Sequence, residues 1–104
     1  MRGLMMETPL LVTSLVRHAA INHGGREIVS RMLDGTIHRT GYAATYARIQ
    51  RLANALRRLG VAEGDRIATI AWNSYRHFEI YFAAPGIGAV CHTINPRLFG
   101  DQIA

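Results

Sequence analysis

The chain has 104 residues, 49% of them apolar, and a formal charge of +5 from twelve basic and seven acidic residues. That length fits one small domain or a piece of a larger one, and the composition excludes disordered and collagen-like classes. Every basic residue is arginine, so no phosphate-loop, Schiff-base or catalytic lysine exists within these residues. Cys91 is the single cysteine, which excludes an intramolecular disulfide framework and fits a reducing compartment. No run of about 18 apolar residues occurs, so no membrane span is expected. The Leu10–Val12 run is bracketed by Glu7 and Arg17 and does not have the layout of a secretory signal. The cytoplasm is the expected location.

Thr8-Pro9 reads as a helix start, with proline where the first turn needs no donor. Leu11, Leu15 and Ala19 follow at four-residue spacing, and His23-Gly24-Gly25 closes the helix. A hairpin is expected next, from Glu27 to Met32, through an Asp34-Gly35 tight turn, and back over Thr36 to Thr40. Tyr42 to Leu59 is the clearest helix. Tyr42, Tyr46, Ile49, Leu52, Ala53, Leu56 and Leu59 share one face, with Arg51 and Arg58 opposite and Gly60 as the closing glycine.

After the Glu63-Gly64 turn and Asp65, Arg66 to Ala71 suits a buried strand. Asn73 or Ser74 can cap a second helix, whose stripe is Phe78, Tyr81 and Phe82 and whose stop is Pro85-Gly86. Ala89 to Ile94 reads as another strand, and Asn95-Pro96 leads toward a further helix through Leu98, Gln102 and Ile103. Strand, helix and strand at this spacing form a βαβ unit with parallel strands and a right-handed crossover. Parallel strands are normally covered on both faces, and two alone look like the start of a domain rather than a whole one. The fold class is therefore α/β, incomplete: an N-terminal helix, a β-hairpin and a βαβ unit.

The residues with chemical potential do not assemble a site in sequence. Gly86-Ile87-Gly88 begins like a dinucleotide fingerprint, but Cys91 replaces the third glycine and the glycines follow a helix instead of opening one. A sharp turn or tight packing is the better reading. Cys91 and His92 are strand neighbours and point to opposite faces, so Cys91 is expected to be a buried structural thiol. His18, His23, His38 and His77 lack metal-ligand spacing. Ser14 and Ser30 sit in no nucleophile elbow, Ser74 is better used as a cap, and nothing pairs Asp65 or Glu79 with another carboxylate. No catalytic, cofactor-binding or metal-binding residue is assigned.

Gly60-Val61-x-x-Gly64-Asp65-Arg66-Ile67-Ala68 resembles the helix-to-strand connection near the start of adenylate-forming enzymes. The helix carrying Leu52-Ala53-Asn54-Ala55-Leu56 is similar to that superfamily's first core motif, and Gly86-x-Gly88-Ala89-Val90 to its second. Ala71-Trp72-Asn73 and the run from Cys91 to Phe99 look most like medium- and long-chain fatty-acid–CoA ligases. The likeness covers Thr8 to Ala104 and is weakest before Thr36. It implies that residues 1–104 are part of the large N-terminal, AMP-binding domain of such a ligase. It further implies ATP, CoA and Mg²⁺ as cofactors of the full-length enzyme, and a fatty acid as substrate. The family's Ser/Thr/Gly loop ending in Pro-Lys, its Tyr-x-x-Thr-Glu region, its ribose-binding aspartate and its late lysine do not occur here. The expectation is therefore a chain that is inactive alone and binds none of these cofactors.

Two departures from the family pattern stand out. Gly41 replaces the usual serine or threonine helix cap, and Pro85 replaces a small helix residue, which is expected to end that helix a turn early. Two other classes of function remain open on sequence. One is a small nucleic-acid-binding module using Arg48, Arg51 and Arg58 as a phosphate-facing ridge, although it has none of the motifs of such modules, and no nucleic-acid partner is expected. The other is a pairing module that buries its unfinished sheet on a partner chain, a homodimer included.

Overall fold

The computed structural model describes residues 3, 4 and 6–103. In chain order these form α1 (Val12–Asn22), β1 (Glu27–Arg31), β2 (Ile37–Gly41), α2 (Tyr42–Arg58), β3 (Arg66–Ile70), α3 (Tyr75–Gly86), β4 (Val90–Ile94) and α4 (Gly100–Ile103). β1 and β2 pair antiparallel, Glu27 opposite Gly41 and Arg31 opposite Ile37. β3 and β4 pair parallel, Arg66 beside Val90 and Ile70 beside Ile94. The expected hairpin and βαβ unit are both present. None of the described helices is long and apolar enough to cross a membrane.

Helix α1 begins later than Thr8-Pro9 suggests, and it buries another face. Leu11 is the extended N-cap, its N–H bonded to Pro9 O at 3.0 Å, while its own carbonyl accepts from the Ser14 N–H and hydroxyl. Pro9 therefore shapes the turn before the helix. Leu15 is 68% exposed, and the residue that enters the core is Val16, 2% exposed. A four-residue spacing fixes a stripe but not its partner, and here α2 and α3 take the Val16 side.

The hairpin loop is wider than a two-residue turn. Gly35 N–H bonds Met32 O and Met32 N–H bonds Thr36 O, with positive φ at Gly35 alone. Asp34 keeps negative φ and acts through its carboxylate, which accepts from the Thr36 N–H at 2.9 Å and hydroxyl at 2.7 Å. Those bonds hold the Asp34 carboxyl below the ordinary aspartate range.

Helices α2 and α3 supply most of the core. Ile49, Leu56, Ala83, Ile87 and Ala89 join Val16, and Tyr46, Leu52, Ala53, Val61, Ile67 and Phe82 pack around them. Leu59, placed on the buried face by periodicity, is the C-cap of α2 and exposed. Tyr81 is likewise more exposed than its stripe suggests.

Both long helices close the same way. Val61 N–H reaches Leu56 O, and Gly60 N–H reaches Arg57 O; Ala89 N–H reaches Ala84 O, and Gly88 N–H reaches Pro85 O. Each is a Schellman closure with glycine at positive φ.

Pro85 does not shorten α3, which runs through it to Gly86. In the last turn a proline removes a single internal donor, and the carbonyls of Ala84 and Pro85 are bonded by the closure itself. Gly41 is also explained. The first N–H groups of α2, on Tyr42 and Ala43, bond Arg26 O and Gly24 O, so backbone carbonyls do the work of a capping side chain. A Cβ at position 41 would lie 2.7 Å from Gly24 O.

The parallel pair is covered on one side only. Ile67 and Thr69 of β3 are half-buried, whereas Arg66, Ala68 and Ile70 on the opposite face are exposed. Arg66 to Ala71, read as a buried strand, is therefore only half-buried: α3 and the core occupy one side, and no described element occupies the other.

Candidate functional site

The carboxyl end of β3 opens into a cleft of about 610 Å³. Its walls are Met32 and Leu33 from the hairpin loop, Leu52 from α2, Thr69 and Ile70 from β3, Trp72 to Ser74, and His77 and Ile80 from α3. A second hollow continues past Trp72 and Asn73 to Asn95, Pro96 and Arg97. The strand ends of an open α/β sheet are where such folds place ligands. Trp72 is half-exposed, with the Arg97 guanidinium 5.5 Å from its ring centroid. Asn95 organises the second rim by accepting the Arg97 N–H at 3.0 Å.

Beneath the cleft lie two buried polar pairs. Glu79, 4% exposed, takes a forked contact from Arg48 of α2: Nε to Oε1 at 2.5 Å and Nη2 to Oε2 at 3.1 Å. The carboxylate raises the Arg48 pKa above its usual value, first through the hydrogen bond and then through charge. Arg48 also lies 5.5 Å from the Tyr75 ring, which stacks on His38 at 3.8 Å. His77, 7% exposed, places Nε2 3.1 Å from the Thr69 hydroxyl, while its Nδ1 has no hydrogen-bond partner.

The other residues weighed as chemical groups are dispersed. Ser14 bonds its own helix start, and Ser30 is buried on β1. Ser74 is the N-cap of α3 by position, but its hydroxyl makes no capping bond; only its carbonyl accepts, from Phe78. Asp65 accepts the Ala62 N–H at 2.9 Å and so shapes the turn into β3. Cys91 is half-buried beside Ile67, and His92 is exposed on the opposite face. His18 lies against Asn22, and its ring is 5.9 Å from that of His23. Among the described residues no group of three His, Cys, Asp or Glu could hold a metal ion.

The glycines do not fit a nucleotide either. Gly88 N–H is spent on Pro85 O, and Gly88 O accepts from Gly64. The chain has no lysine to stand beside these glycines. The ridge of Arg48, Arg51 and Arg58 loses its first member to Glu79. Sequence reasoning missed the Arg48–Glu79 pair, and the only signal for it was a carboxylate on the apolar side of a helix with an unmatched arginine upstream.

A helix–hairpin–βαβ arrangement with one sheet face left open by the described residues defines the class: an α/β fold with a parallel strand pair. The family described as AMP-binding enzyme matches residues 16–104. Over 103 residues the chain is 54% identical to the 3-methylmercaptopropionyl-CoA ligase of Ruegeria lacuscaerulensis and 50% identical to the medium-chain-fatty-acid–CoA ligase of Ectopseudomonas oleovorans. Each alignment covers 99% of this chain and 19% of the relative. The inhibitor-bound N-terminal domain of FACL13 from Mycobacterium tuberculosis superposes with a TM-score of 0.79 at 28% identity, over 89% of this chain and 23% of that one. The chain belongs to the AMP-binding enzyme family, and it spans about a fifth of the length of the curated relatives it matches.

Proposed function

We propose that the chain is the N-terminal scaffold of an ATP-dependent fatty-acid–CoA ligase and that it has no ligase activity by itself. The observation that carries this reading is alignment over nearly the whole chain to enzymes named as CoA ligases. The complete enzyme would join a fatty acid to ATP as an acyl-adenylate with loss of pyrophosphate, then transfer the acyl group to the CoA thiol with release of AMP. Mg²⁺ would offset phosphate charge in the first step. The residues of this chain hold the sheet and helices in place and take no step of that chemistry.

The reading places the enzyme in the cytoplasm and includes no nucleic-acid partner. A homodimer through the open sheet face is a second reading, favoured by the exposure of Ile70 and Val90. The test of the main reading is the purified chain incubated with octanoate, ATP, Mg²⁺ and CoA. No octanoyl-CoA and no saturable ATP binding are expected; turnover that follows the protein through purification overturns the claim.

A further inference from the structure

The open sheet face of the βαβ unit is mixed, with Arg66 and His92 exposed on it beside two apolar side chains. On the sheet face opposite Ile67, Ile70 is 56% and Val90 50% exposed. β3 and β4 have each other as their single hydrogen-bonded neighbour, so the outer edge of each is unpaired. Trp72 lines the cleft at the end of β3, and there the buried His77 imidazole has a nitrogen without a partner. Free strand edges require backbone donors and acceptors spaced along a strand. Exposed apolar side chains on a sheet face and a mainly apolar cleft require side chains of a further element to cover them. One polypeptide meets all of these needs, and a small molecule does not.

Relatives that match 99% of this chain devote 19% of their own length to it, so about four-fifths of a relative's length lies outside the matched part. We propose that this surface docks the remaining part of an adenylate-forming domain even when that part is a separate polypeptide. The incoming piece adds a strand beside the β3–β4 pair and lays apolar side chains over Ile70 and Val90. The proposal rests on the scaffold reading above and extends it from a shared chain to association in trans.

The experiment co-expresses the chain with the Ectopseudomonas oleovorans ligase lacking its matched 103-residue segment. The same two pieces are also fused into one chain. Complex formation is read by sedimentation, and octanoyl-CoA formation by assay. A one-to-one complex that turns over octanoate is expected. Ile70→Asp and Val90→Asp, both at solvent-exposed positions, should each weaken the complex by at least about tenfold without changing the circular dichroism of the chain. Gln50→Asp, on the exposed side of α2, should leave the complex intact.

A fused chain that works while the separate pieces neither associate nor turn over overturns docking in trans and leaves the scaffold reading standing. A complex without turnover, in a setting where the fused chain is also inactive, supports the docking and counts against the ligase reading. Self-association of the chain that excludes the second piece, or a complex indifferent to both aspartates, overturns the proposal.

Discussion

Arg48 on α2 and Glu79 on α3 lock the two long helices together through a forked ion pair whose acidic end is buried and whose basic end reaches solvent. The side chain of Glu79 is almost fully covered, and that of Arg48 is nearly half exposed. The asymmetry decides which partner the fold can spare. Arg48→Met leaves a carboxylate in the interior with no counter-charge and should cost about 3–5 kcal/mol. Glu79→Gln leaves a guanidinium that can turn to water and should cost less. Urea unfolding followed by circular dichroism checks the order; equal losses would contradict it.

The two Schellman closures differ in what surrounds their glycines. Gly60→Ala meets nothing within 4 Å and carries only the positive-φ penalty, about 1–2 kcal/mol. Gly88→Ala carries that penalty and also places a Cβ 2.8 Å from Glu63 Cγ. It should cost more, and adding Glu63→Ala should recover the difference. Equal midpoints for the two glycine variants would refute this.

Asp34 gives the hairpin a pH dependence of known sign. Its folded-state pKa lies below the ordinary aspartate range because the ionised form accepts two bonds from Thr36. The contribution is therefore complete above the unfolded pKa and lost as pH falls through the lower folded one. Asp34→Asn should lower stability at neutral pH and flatten its fall in the acid range. A variant with the acid profile of the parent would show that the Thr36 bonds do not form.

The faces of β3 should respond to substitution in opposite ways. Ile67 packs against the core, whereas Ile70, three positions on, stands on the open face. Ile67→Ala should cost about 2–4 kcal/mol, while Ile70→Thr should change stability by no more than about 0.5 kcal/mol and raise the concentration at which the chain self-associates. Equal destabilisation would mean that the open face is covered.

Much of the fold was legible because local signals agreed. The stripe from Tyr42 to Leu59, the glycine at 60 and the Arg66-to-Ala71 strand all pointed to α2 followed by β3, and the structure has both elements, with Leu59 exposed and β3 ending at Ile70. What was not legible depended on partners. Nothing local distinguishes Leu15 from Val16 as the core residue of α1, because the choice is made by α2 and α3 from far along the chain. Glu79 read as a lone helix carboxylate because its counter-ion is 31 residues away. Pro85 read as a stop because the closure that satisfies the carbonyls around it involves Gly88 and Ala89, beyond the helix.

The most direct measurement joins residues 1–104 to the Ectopseudomonas oleovorans ligase in place of its own matched segment, which is 50% identical, and assays octanoyl-CoA and AMP. Turnover within about tenfold of the parent enzyme, with none from residues 1–104 alone, is the expected result for a scaffold that leaves the chemistry to the remainder. A soluble, folded chimera with no activity would contradict it.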